Sequence, residues 1–211
     1  MGPEVASLIG VTLRYCPDPG PADWITGAGI DWERLVTFGP PGFAGYARLR
    51  LIPDPTRPGQ QEADNQLLED HPSDLEQIRR AVDLLRPFAA TGEDGYFGVW
   101  DGWGGWGGTD FPVAGRRGPL VEVYPGRPYR SYVLLRGSLA DLGRWAEVFG
   151  SSGPPLPAFV WPADRSWCLA KDVDPHWAGI GASQAAIEAL RGDPVLDVVP
   201  AEPDQPQPTY Y

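Results

Sequence analysis

Leu120-Val121-Glu122-Val123-Tyr124 and Tyr129-Arg130-Ser131-Tyr132-Val133-Leu134-Leu135 flank the short stretch Pro125-Gly126-Arg127-Pro128, and Ser138-Leu139 follows close behind. Two runs rich in β-branched and aromatic residues around so tight a turn read as an antiparallel hairpin. Ser138 then caps a helix that turns Leu139, Leu142, Trp145 and Phe149 inward and Asp141, Arg144 and Glu147 outward, with Gly150 ending it. Strands joined by short turns, with helices between groups of them, define the fold class: an α+β domain whose mainly antiparallel sheet is packed by about three helices.

Working outward, the remaining elements repeat this grammar. Ser73-Asp74-Leu75-Glu76 is a capping box, and Leu75, Ile78, Val82 and Leu85 form one apolar stripe that Pro87 stops. Ser183 opens a third helix with Ala186, Ile187 and Leu190 inward and Gly192 beyond its end. Further strands are expected at Ala47–Ile52, Tyr96–Asp101, Ala158–Trp161, Trp167–Val173 and Val195–Val199. At 211 residues the chain is the size of one domain, taken as 1–200. Within it lie an acidic loop at 53–71 and a Gly/Trp loop at 102–118, and a Pro/Gln-rich tail at 201–211 reads as disordered.

Composition excludes several classes of function. A net charge of −11 repels nucleic acid and anionic lipid and leaves a basic protein as the easier partner. Arginine supplies nearly all of the basic count, since Lys171 is the only lysine. Cys16 and Cys168 form neither a zinc-ligand spacing nor a disulfide framework, and no basic leader or apolar span is visible, which together point to the cytoplasm. No cofactor is expected.

The stretches Tyr96-Phe97-Gly98-Val99-Trp100-Asp101-Gly102-Trp103-Gly104 and Phe159-Val160-Trp161-Pro162-Ala163-Asp164-Arg165-Ser166-Trp167-Cys168 resemble a group of uncharacterised actinobacterial proteins. The resemblance extends through Asp172-Val173-Asp174 and Gly179-Ile180-Gly181 to the closing helix. It implies a single cytoplasmic domain and carries over no catalytic residue. In size, acidity and aromatic content the chain is also similar to bacterial immunity and regulatory modules, by analogy alone.

Three constellations could carry chemistry. If the strand from Trp167 stays extended, Asp172, Asp174 and His176 share one face, where two carboxylates and an imidazole suit a divalent ion or acid/base work; the same Asp and Pro residues also make ordinary turns. Asp164-Arg165 lies between Trp161 and Trp167 and could aim an ion pair into a cleft, with an indole stacked on the guanidinium. The third stretch, Gly102-Trp103-Gly104-Gly105-Trp106-Gly107-Gly108, contains G-x-G-x-x-G, but Thr109-Asp110-Phe111-Pro112 follows where a dinucleotide site needs a helix. What remains is a loop bearing Trp103 and Trp106 beside Asp101 and Asp110.

The functional expectation is an acidic binding module that recognises a basic protein through a tryptophan-rich face made of Trp103, Trp106, Asp101 and Asp110, with Asp164, Arg165 and Trp167. One alternative is a small metal-assisted or acid/base hydrolase built on Asp172, Asp174 and His176. Another is a structural subunit of a larger assembly.

Overall fold

The computed structural model describes residues 10–103, 119–123, 130–149 and 154–210. Its centre is a nine-stranded sheet in which every pairing among the described residues is antiparallel. The strands are β1 (Arg14–Tyr15), β2 (Gly45–Arg50), β3 (Asp94–Trp100), β4 (Val121–Glu122), β5 (Ser131–Ser138), β6 (Pro157–Pro162), β7 (Cys168–Ala170), β8 (Trp177–Ala182) and β9 (Val198–Pro200). They lie in the order β1-β5-β3-β6-β7-β8-β2-β9, and β4 pairs with β5 as well. The domain is therefore α+β with a mainly antiparallel sheet, as the sequence indicates. The hairpin pairing appears as Val121 opposite Tyr132 and Glu122 opposite Ser131, whereas its turn at 124–129 and Gly150 lie outside the described residues.

Alternation along the strands feeds two cores, one on each face. On the first face Phe97, Val99, Val133, Leu135, Val160, Leu169, Ile180, Ala47 and Leu49 meet three helices: α3 (Asp74–Leu85), α4 (Trp145–Phe149) and α5 (Gln184–Arg191). The Ser73–Glu76 capping box forms as expected, and Ser183 caps α5 through the Ala186 amide. The helix expected after Ser138 is divided: Leu139–Arg144 winds as a tighter 3-10 helix and only Trp145–Phe149 is α-helical.

On the second face Tyr132, Leu134, Phe159, Trp161, Cys168 and Ala170 meet α1 (Asp23–Thr26) and α2 (Trp32–Phe38), two helices beyond the three expected. Asp31 caps α2 by accepting from the Glu33 and Arg34 amides. The end of α2 and the loop after it sit directly on β8. A Cβ at Gly179 would fall 2.1 Å from the Thr37 carbonyl oxygen, and one at Gly181 would fall 2.3 Å from the Phe43 ring. Two glycines on alternate residues of a fully buried strand thus make room for backbone contact.

Two expectations need correction. The strand from Trp167 ends at Ala170, so the alternation that would bring Asp172, Asp174 and His176 to one face does not exist. The Lys171 ammonium turns the chain there, donating to the carbonyls of Asp172 (2.6 Å) and Pro175 (2.7 Å). The stretch 201–210, read from its composition as a loose tail, makes specific contacts instead. Ala201 donates to the Tyr46 carbonyl, the Trp177 indole to the Pro208 carbonyl, and Asp204 pairs with Arg34 at 2.8 Å. Tyr210 donates its hydroxyl to the Pro53 carbonyl, accepts from Asn65, and sets its ring edge-on to His176.

Candidate functional site

Strand order gathers the chemistry-bearing residues at one end of the sheet. β3, β7 and β2 finish there, while β5, β6 and β8 begin there. Four inter-strand spacings separate β3 from β2, a width of about 19 Å. In strand order this end carries Arg130 just before β5, Asp101 and Trp103 just after β3, Lys171, Asp172 and Asp174 just after β7, His176 just before β8, and the 53–71 loop just after β2.

Contacts tie the Trp103 side of this end to Asp172 and Asp174. Trp103 meets Trp100 edge-to-face at 5.9 Å, and the Arg130 guanidinium lies over Trp100 at 5.5 Å and over Trp32 at 5.8 Å. Arg130 holds both oxygens of Asp172, at 2.8 and 3.1 Å, and reaches Asp174 at 3.0 Å. Burial pulls the Lys171 ammonium below its ordinary range, against the raising fields of Asp74, Asp172, Glu62 and Asp174. His71 sits 2.7 Å from the Leu51 carbonyl at the foot of the acidic loop.

His176 belongs to a different group. Its Nε2 is 2.9 Å from Asp54 Oδ1, and an ionised carboxylate can only accept, so the imidazole donates there. Arg48 clamps the same carboxylate at 2.7 and 3.0 Å, and Arg50 adds a bond at 3.2 Å while pairing with Asp197 at 2.6 Å. Burial raises the Asp54 carboxyl, but the bonds from Arg48, His176 and Arg50 outweigh it and hold the group at about 2. Trp177, Tyr210 and the 201–210 stretch cover this cluster.

The three residues of the hydrolase alternative are thus not brought together. Asp172 and Asp174 share the single Arg130 guanidinium, and His176 is sequestered against Asp54. No group of three or more His, Cys, Asp or Glu side chains able to hold a metal ion occurs among the described residues. The Cys168 thiol is fully buried in the second core, and burial pushes its pKa up.

What this end does offer is exposed apolar surface set among carboxylates. Leu68 is 76% exposed, Trp103 48% and Leu67 44%, three of the four large apolar side chains so exposed among the described residues. Around them Asp101, Glu62, Glu69, Asp70 and Glu122 are exposed, and the Asp174 carboxylate is 82% exposed. Leu67 and Leu68 were missed in the sequence, where the loop reads as acidic; a Leu-Leu pair between polar residues was the available signal.

The other predicted binding residues fall elsewhere. Trp106 and Asp110 lie outside the described residues. Trp167 is completely buried in the first core. Asp164 and Arg165 stand at the opposite end of the sheet and do not pair with each other. Asp164 instead accepts from the backbone amides of Ala90, Thr91 and Ser166, and Arg165 lies 5.6 Å over the Trp24 ring. No helix among the described residues is long and apolar enough to cross a membrane. Compared with protein-family models, with curated proteins and with solved structures, the chain matches none of them.

Proposed function

We propose that the protein is a binding module for a basic protein surface, which it engages through the sheet end carrying Trp103, Leu67 and Leu68. The observation that carries this reading is that exposed apolar side chains and a surplus of carboxylates lie at the same end of the sheet, in a chain of net charge −11. Apolar side chains supply contact area that excludes water, and the acidic rim steers an oppositely charged partner and repels others. A face about 19 Å wide matches the reach of a standard interface, which buries roughly 800 Å² per partner. Two free, buried thiols support placing this module in the cytoplasm.

Native mass spectrometry on protein purified gently from its own cells tests the reading. A basic protein should co-purify with the wild type and with an Arg165→Ala variant, and be lost from a Trp103→Ala/Leu68→Asp double variant that keeps its circular dichroism spectrum. Salt should weaken the complex, because the carboxylates are exposed and screened. Retention of the partner by the folded double variant, or a partner of acidic character, would sink the proposal.

A further inference from the structure

We propose that the seat of the 201–210 stretch is a recognition groove for proline-rich segments, which the protein fills with its own stretch until an acidic, proline-rich segment of a partner protein displaces it. On β2 and β8 the alternation that turns Ala47, Leu49, Ala178 and Ile180 into the first core turns Tyr46, Arg48 and Trp177 to the other face. Phe38 of α2 joins them there, 5.0 Å from Trp177 and 6.3 Å from Tyr46 between ring centres. Guanidiniums lie over both ends of this strip, Arg34 at 5.6 Å from the Tyr46 ring and Arg48 at 5.5 Å from the Trp177 ring. Proline-rich ligands dock on aromatic floors of this kind.

Four observations mark the stretch as a ligand rather than a piece of core. First, its contacts are those of recognition: the Trp177 indole donates to the Pro208 carbonyl at 3.3 Å, Arg34 pairs with Asp204 at 2.8 Å, and the Tyr210 hydroxyl lies between the Pro53 carbonyl and Asn65. Second, burial is one-sided. No residue of 201–210 is buried, whereas Trp177 and His176, which it contacts, are 3% and 6% exposed. A segment that places no side chain in the core opens at low cost. Third, it carries its own shape. The Gln205 amide bonds to the Glu202 carbonyl across a turn containing Pro203, and the Gln207 side chain donates to the carbonyls of Glu202 and Gln205. Prolines at 200, 203, 206 and 208 restrict the free segment further, so little entropy is lost when it docks. Fourth, the seat is not filled: a cavity of about 520 Å³ remains between this turn, Tyr46, and Ile187 and Arg191 of α5.

The occupant already seated defines the chemistry of the partner. A carboxylate four residues before a proline meets Arg34 and Trp177 together, and an aromatic residue two beyond that proline sets its ring against His176. Arg34 selects an acidic segment, the opposite of the basic surface sought by the Trp103 end. Being part of the same chain, the 201–210 stretch competes at an effective concentration of about a millimolar, so the partner must displace it.

The test is heteronuclear NMR on the ¹⁵N-labelled full chain, reading the Trp177 indole N–H, with a synthetic peptide of residues 201–211 as the probe. An Asp204→Lys/Tyr210→Ala variant sets like charge against Arg34 and removes the Tyr210 bonds. Its Trp177 resonance should move while its circular dichroism spectrum is kept, and the peptide should saturably return that resonance to the wild-type position. The wild type should not respond at the same peptide concentrations, and a peptide carrying Pro206→Ala and Pro208→Ala should bind about tenfold more weakly. The proposal is overturned if the resonance stays in place in the variant, if it moves and the peptide does not restore it, or if the proline-free peptide binds equally well. A wild type that sediments as a dimer and is dissociated by the peptide would assign the groove to a second copy and overturn the partner reading too. Trp103 and Leu68 make none of these contacts, so the outcome is independent of the reading of the acidic end.

Discussion

Asp54 shows how much a single carboxylate can organise. It ties Arg48 and Arg50 on β2 to His176 at the start of β8, so two strands and the loop after β2 share one charge. Its carboxyl is held at about 2, below the ordinary 3.8. A depressed carboxylate stabilises the fold fully above its unfolded value, and that contribution disappears as pH falls through the folded one. With its side chain 18% exposed, the expected loss is about 1–2 kcal/mol between roughly pH 4 and pH 2 once screening is allowed for. Thermal melts of wild type and Asp54→Asn should therefore differ at pH 6 and converge near pH 2; a gap independent of pH would refute this assignment. Lys171 acts at the same scale. As the only lysine, buried with two backbone carbonyls as acceptors, it closes the 171–175 turn and sends Asp172 toward Arg130 rather than toward His176.

At the scale of elements, what could be read in advance depended on whether the determinant was local. The α3 helix was legible because a capping box and a 3.6-residue apolar stripe lie within one short stretch of chain. β8 was not, because Trp177-Ala178-Gly179-Ile180-Gly181-Ala182 lacks the β-branched run of a strand and owes its glycines to a neighbour. That neighbour, α2, carries a legible Asp31 cap and the buried residues Leu35, Val36 and Phe38, yet nothing in either segment names the other. Gly179→Ala should drive a methyl into the Thr37 carbonyl region and destabilise the protein by about 1–3 kcal/mol. Urea denaturation checks this, and an unchanged midpoint would mean that α2 can shift without cost. The divided helix after Ser138 shows the same limit from the other side: its cap and the inward Leu139, Leu142 and Trp145 were read correctly, but not the 3-10 winding of Leu139–Arg144, nor Asp141, which was expected to face water and is buried, accepting from the Thr12 amide and hydroxyl.

For the whole molecule, the 201–210 stretch decides how closed the structure is. It bonds to Tyr46 and Trp177 and reaches Pro53 and Asn65 through Tyr210, so it straps β2, β8 and the acidic loop together. Deleting residues 202–211 should lower the melting temperature by several degrees and, read against a Trp177→Phe background, red-shift the emission that Trp177 contributes. An unaltered melt would reduce the strap to a passive tail. The acidic end depends on the same global arrangement. Asp101, Asp172 and Asp174 were each visible in the sequence, as was the acidity of 53–71. That they lie at the same end of the sheet as the loop bearing exposed Leu68 follows from strand order alone.

The amino-acid sequence by itself determined the class of fold, the helices with their own caps, the excess of negative charge and the residues able to do chemistry. Those properties belong to residue types and short-range periodicity, which the chain carries whatever its partners in space. Only the tertiary structure decided which candidates meet. It buried Trp167, separated Asp172 and Asp174 from His176, drew Arg165 to Trp24 rather than Asp164, and aligned Arg14 with Arg136. Contacts between strands far apart in sequence arise from register and sheet order, and local sequence encodes neither.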